Sequence, residues 1–418
     1  MTASPDALRQ APLYRVLHAL AKGETSSEAL TGACLAAIAR DGNLNAWTWV
    51  DAAGALAAAR ASDERRAEGK PLGRLDGVPI AITDAFDIAG MPTGLGLPGH
   101  PGLATEDAQM VRRLRGAGAV FLGKTNLDEA AFGTVGRNPH FGDVRNPRLP
   151  DRAAGGASGG SAAALAAGHA VVALGVDTLG ATRIPAAFCG LVGHKPTLGE
   201  LSARGMASAL RRLDCPGLLA RAVQDIGLVL PVLAGYDAGD PRSRKRRVPL
   251  APPDWVPGEL KAGVVADLSA LGVDASVVEN FSAVMARVAA VFGSALPVAL
   301  EVAPLEVAAT RRAALLLMEA EILAAHEPRL DGASTRLRWL LDFAKRKTAA
   351  DFARADLRLD QHVVRVRRLF EQFDVLLLPT TAAPPPAFGA DEPANLADLT
   401  ALASLAGCPA LSLPLPGG

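Results

Sequence analysis

Apolar and polar positions alternate differently in successive parts of this chain. From about residue 12 to 68 the apolar positions recur at helical spacing. SSEALTGACLAAIARDG reads as a helix capped by Ser26 or Ser27 and closed by Gly42, and AAGALAAARASDERRAEG consists largely of strong helix formers. From Gly77 short apolar runs alternate with helical periods: GVPIAI and AVFLGKTN read as strands, with AQMVRRLRGAG between them as an amphipathic helix preceded by Thr105 and Asp107. Ser161 to His169 is helical, and HAVVALGVD is the next strand. Strands and helices in this order predict an α/β chain with a buried sheet covered on both faces. Further on, LKAGVVADL reads as a strand and long helices follow at Ala275 to Phe292, Leu305 to His326 and Ala349 to Phe373. DVLLLPTTAAPPP then runs from a strand into a proline-rich loop.

Composition narrows the function classes. Half of the 418 residues are hydrophobic and 21% are charged, as in a globular chain with a sizeable core. Forty-three basic residues balance forty-three acidic ones, so no overall field draws in nucleic acid or an anionic membrane. Arg242, Arg244, Lys245, Arg246 and Arg247 precede the proline-rich VPLAPPDWVPG and read as a solvated connector. Cys34, Cys189, Cys215 and Cys408 show neither a CxxC pair nor metal-ligand spacing, which predicts a reducing compartment, no metal and no cofactor. The N-terminus lacks the basic-then-apolar order of a secretory signal, and no run of about 18 apolar residues is free of charge. A cytoplasmic protein is expected.

Three blocks carry the chemistry: GRLDGVPIAITDAFDIAG from Gly73, DRAAGGASGGSAAALAAG from Asp151 and GVDTLGATRIPAAFCGLVGHKPT from Gly175. Together they resemble the amidase signature family, whose blocks read roughly GVPxxxKD, GGSSGGS and GxDxGGSxRxPA. The resemblance implies an α/β amidase-signature fold, a large mixed β-sheet covered by helices on both faces. It implies one domain over residues 1–418: a helical part at 1–68, the signature core at 73–241, a connector at 242–258, and a helical C-terminal part at 259–418 that lacks the family's last strand and helix.

In that family a serine attacks the amide, relayed through a bridging serine in a cis peptide to a lysine. The resemblance puts Thr83 at the lysine position, Ala157 at the bridging serine and Ala181 at the nucleophile, the last two separated by 24 positions as in the family. A methyl group neither attacks nor relays a proton, and a threonine hydroxyl is no base at neutral pH. The resemblance also places an oxyanion hole on the backbone N–H groups of Thr178, Leu179, Gly180 and Ala181. Leu179 replaces a turn glycine, which predicts backbone strain or a reshaped loop with the side chain in the cleft. Asp177 and Arg183 match the family as a structural pair framing the loop. Ser158 matches a mostly structural serine, Ser161 reads as a helix N-terminal residue capping free N–H groups, and Lys124 and Lys195 match positions outside the catalytic set.

Two functions follow. Loss of all three triad groups predicts a chain catalytically inactive in amide hydrolysis: a pseudoenzyme acting as a binding, partner or regulatory subunit. Its partner would be an active amidase, another protein subunit or a second copy, and the old cleft would hold a small amide or carboxylate ligand. Neither nucleic acid nor membrane is expected as a partner. The alternative is an active amidase that hydrolyses carboxamide C–N bonds with a relocated nucleophile, for which Ser158, Thr178 and Cys215 are the candidates.

Overall fold

The computed structural model describes residues 4–99, 101–245, 256, 259–265, 267–292, 298–300 and 305–415. Arg246, Arg247 and nearly all of the proline-rich stretch after them lie outside the described residues. Ten strands are found among the described residues: β1 (Trp47–Val50), β2 (Pro79–Thr83), β3 (Val120–Thr125), β4 (Val172–Val176), β5 (Val192–Lys195), β6 (Pro216–Ala220), β7 (Ala262–Val265), β8 (Val298–Leu300), β9 (Val375–Leu377) and β10 (Ala410–Ser412). The main sheet has the order β1-β3-β2-β4-β6-β5-β10. Its centre, β3-β2-β4, is parallel, and the strands on either side run antiparallel. This is the large mixed sheet that the sequence implied.

Helices cover both faces. In chain order they are α1 (Pro5–Leu8), α2 (Leu13–Ala21), α3 (Ser27–Arg40), α4 (Ala52–Ala67), α5 (Gln109–Gly116), α6 (Gly159–Ala166), α7 (Arg183–Phe188), α8 (Val223–Leu233), α9 (Ala275–Phe292), α10 (Val307–His326), α11 (Thr335–Lys345), α12 (Ala349–Leu369) and α13 (Asp398–Leu405). Strands β2, β3, β4 and β6 are buried along their whole length, so their sequences are unbroken apolar runs rather than alternations. The period of two still sorts their side chains. Ala81, Leu122, Ala173 and Leu219 pack with the alanines of α4 and α6 on one face. Ile80, Ile82, Phe121, Leu174 and Leu218 join α2, α5 and α8 on the other. Small residues on the first face let α6 lie close to the strands: a Cβ on Gly160 would sit 2.3 Å from the Asn126 carbonyl oxygen.

Local details depart from the sequence reading in two places. Helix α5 has Ala108 as its N-cap. Asp107 instead accepts the Ala89 N–H at 2.9 Å and pairs with Arg115, because that ties two loop segments together. A second, parallel sheet of order β8-β7-β9 was not anticipated. It sits among the C-terminal helices, of which α10, α11, α12 and α13 pack on one another.

Candidate active site

The three blocks converge where the central strands end. β2 finishes at Thr83, and β4 finishes at Val176 and leads through residues 177–182 into α7. The loop before α6 contains a cis peptide at Gly156–Ala157. The Ser158 N–H donates to the Ala181 carbonyl at 2.9 Å, which locks the α6 loop against the α7 loop and brings the Ala157 and Ala181 positions together.

The hydroxyls of Thr83, Ser158 and Ser161 beside this junction all have partners. Thr83 Oγ1 lies 2.8 Å from Ser161 Oγ, which is 2.6 Å from Thr125 Oγ1 and donates to the Leu174 carbonyl at 3.3 Å. Ser161 therefore joins strands β2, β3 and β4 through a buried hydroxyl chain, which corrects its expected role as a cap. Ser158 Oγ donates to the Val176 carbonyl and accepts the Val176 N–H at 2.9 Å, so it is fully used by backbone. Cys215 is buried with Sγ on the Pro196 carbonyl, and burial pushes its thiol up to about 11. Neither Ser158 nor Cys215 reaches the cleft as an available nucleophile. Lys124 is fully enclosed, with Nζ 3.0 Å from Asp84 and 2.8 Å from the Pro92 carbonyl; burial lowers its affinity for a proton.

The α7 loop is held by a bidentate pair. Arg183 Nε and a terminal nitrogen each lie 2.9 Å from Asp177, and the same guanidinium reaches the Thr400 carbonyl and Ser404 Oγ on α13. Burial alone would raise the Asp177 carboxyl, but Arg183 outweighs it and holds the group below the usual carboxylate range. Asp177 Oδ1 accepts the Gly180 N–H at 2.9 Å. That uses one of the four donors assigned to the oxyanion hole. Among the described residues the N–H groups of Thr178, Leu179 and Ala181 donate to no protein acceptor. The strain expected at Leu179 is absent, because the positive φ of this turn falls on Gly180, at 121°, while Leu179 has none. The leucine side chain does line the cleft.

That cleft has a volume of about 380 Å³. Gly156, Thr178, Leu179, Ala181 and Ile184 form one wall, facing Leu315, Met318 and Glu319 of α10 and Arg336 and Leu340 of α11. Of the lining residues only Thr134 and Thr178 carry hydroxyls. Thr134 is committed to Glu392, which also pairs with Arg336. Thr178 Oγ1 donates to Asp214 Oδ1 at 2.7 Å. Asp214 is itself fixed by Ser208 Oγ and by the backbone N–H groups of Ala209 and Leu210.

Two of these carboxylates were missed in the sequence. Asp214 adjoins Cys215 but lies 36 positions from Thr178, and no spacing rule connects them. Glu319 had a signal: at helical spacing it shares a face with Leu315, Met318 and Ile322, where an apolar residue belongs. It is 6% exposed, and burial pushes its carboxyl up to about 7. No group of three His, Cys, Asp or Glu that could hold a metal occurs among the described residues.

Comparison with known proteins agrees with this geometry. The Amidase family matches residues 29–416. A glutamyl-tRNA(Gln) amidotransferase subunit from Salinibacter ruber (strain DSM 13855 / M31) is 44% identical over 264 residues, 61% of this chain and 50% of that protein. Its namesake from Thermobifida fusca (strain YX) is 45% identical over 270 residues, 63% of this chain and 54% of that protein. The chain thus spans about half the length of the curated relatives it matches. A crystal structure of an amidase superposes with TM-score 0.86 at 32% identity, covering 97% of this chain and 92% of that one.

These relatives correct the reading of a chain inactive in amide hydrolysis. Proteins 44–45% identical to it bear the name of an amidotransferase subunit, and the alternative of an active amidase accords better with them. The physical basis of the error is clear. Substitution at Thr83, Ala157 and Ala181 removed three side chains but left the cleft, its backbone donors and a carboxylate-bonded hydroxyl in place.

Proposed function

The chain belongs to the amidase family, and from that premise we propose that its cleft cleaves the C–N bond of a carboxamide, with Thr178 as the relocated nucleophile and Asp214 as its proton acceptor. One observation carries this reading: Thr178, within the oxyanion turn itself, lines the cleft, and its buried hydroxyl donates to the Asp214 carboxylate at 2.7 Å, beside three backbone N–H groups that meet no protein acceptor among the described residues. Attack of Thr178 Oγ1 on the amide carbon passes its proton to Asp214. The developing oxyanion is met by the N–H groups of Thr178, Leu179 and Ala181. Collapse breaks the C–N bond, the leaving amine takes the proton from Asp214, and water then releases the acid from the threonine ester.

The residues matching the family's triad do not enter this scheme. Thr83 is occupied by Ser161, and Ala157 and Ala181 serve as packing. Relatives named as amidotransferase subunits support a protein partner for this chain as well. Its four cysteines are free, as suits the reducing cytoplasm. No helix among the described residues is long and apolar enough to cross a membrane.

The test is ammonia release from small aliphatic and aryl carboxamides by the purified chain, alone and as Thr178→Val. Turnover that Thr178→Val removes supports the reading. Turnover unchanged by the substitution, or none in the parent, contradicts it.

A further inference from the structure

Helix α10 carries a carboxyl group that no described residue satisfies. Neither oxygen of Glu319 has a hydrogen-bond partner among the described residues, and Oε2 is closed off from solvent. The residue is 6% exposed and lines the cleft opposite Thr178, Leu179 and Ala181. Its companions on that helix face, Leu315 and Met318, are apolar. An unpartnered buried carboxyl is destabilising to the folded chain. Its retention on a cleft wall therefore points to a partner that arrives from outside.

We propose that Glu319 is the residue that reads the carboxamide group of a ligand in this cleft. This deepens the amide reading of the site but concerns binding alone. A primary carboxamide presents one C=O and one NH2, side by side. A protonated carboxyl donates its O–H to that C=O and accepts an N–H on its other oxygen, giving two parallel hydrogen bonds. As a carboxylate it still accepts N–H. Burial pushes this group up to about 7, so the neutral form that makes both bonds is well populated at neutral pH. The apolar lining of Leu179, Ile184, Leu315, Met318 and Leu340 accommodates an aromatic or aliphatic acyl group.

The experiment is equilibrium binding of benzamide and of acetophenone, which has the same ring and carbonyl but no N–H, to the parent, Glu319→Gln and Glu319→Leu. Benzamide should bind the parent more tightly than acetophenone does. Glu319→Gln keeps one donor and one acceptor and should hold benzamide within about threefold. Glu319→Leu should weaken benzamide about tenfold and leave acetophenone within about threefold. Because Glu319→Leu removes an unsatisfied buried group, its melting temperature should equal or exceed the parent's, which excludes misfolding as the cause. Equal affinity of the parent for the two probes, or equal effects of Glu319→Leu on both, would overturn the assignment. Benzamide bound through Glu319 by a parent that releases ammonia from no carboxamide would leave this inference standing and sink the hydrolytic one.

Discussion

Thr178 and Arg183 flank the same turn, and each depends on a carboxylate supplied by the fold. For Thr178 that carboxylate is Asp214, pinned in turn by Ser208, Ala209 and Leu210. For Arg183 it is Asp177, enclosed with it and sharing two hydrogen bonds. Removing one partner of such a buried pair leaves the other charge without compensation. Arg183→Met is therefore expected to cost about 3–5 kcal/mol of stability, measured by chemical denaturation; a loss below about 1 kcal/mol would show that the pair does not hold the turn. The Asp177–Arg183 pair was legible in the sequence because both residues sit within one motif, six positions apart. Asp214 was not, since the chain leaves the site and returns before supplying it. Leu179 was misjudged for a related reason. A glycine motif does not say which of two adjacent residues takes the positive φ, and here Gly180 takes it.

At the scale of elements, the parallel strands are joined by side chains as well as by backbone. Ser161 on α6 links Thr83 at the end of β2 with Thr125 at the end of β3 and bonds the β4 carbonyl of Leu174. Ser161→Ala would strand two buried threonine hydroxyls, at a cost of about 1–3 kcal/mol. A cost near zero in the same denaturation measurement would mean that the threonines find new partners. Strand β5 carries a second element-scale prediction. Burial pushes His194 down to about 4, with Lys195 adding to the effect, and His194 Nδ1 has no hydrogen-bond partner among the described residues. The unfolded chain binds a proton near pH 6.5, so between about 4 and 6.5 it holds more protons at this site than the folded chain does. Stability linked to His194 is thus fully present above pH 6.5 and lost as pH falls toward 4. The difference in unfolding free energy between the parent and His194→Asn, followed from pH 4 to 7, should change in that direction. A pH-independent difference would remove the claim. Strands β2 to β4 were readable because burial on both faces makes them continuous apolar runs. In the second sheet β7 and β9 were read as strands, but β8 was not, since it is three residues long and periodicity needs more than that to register, and the pairing of the three was not read either.

The whole molecule places a cleft of about 380 Å³ between the signature loops of the main sheet and helices α10 and α11. Arg183 binds one side of this arrangement to α13 through Thr400 and Ser404, so the C-terminal helices help hold the turn that lines the cleft. Motif spacing located this cleft from the sequence, and the missing triad side chains were equally plain there. The N–H donors of residues 178–181 were expected there too. What the sequence did not convey was the Thr178–Asp214 hydrogen bond, which joins residues 36 positions apart, and the lack of a partner for Glu319 Oε2 among the described residues.

The most direct measurement is ammonia release from a panel of primary carboxamides, comparing the parent with Thr178→Val at equal concentration and confirmed fold. Turnover by the parent that falls at least about a hundredfold in Thr178→Val is the predicted result. No release from any carboxamide by the parent, or release that persists undiminished without the Thr178 hydroxyl, would contradict it.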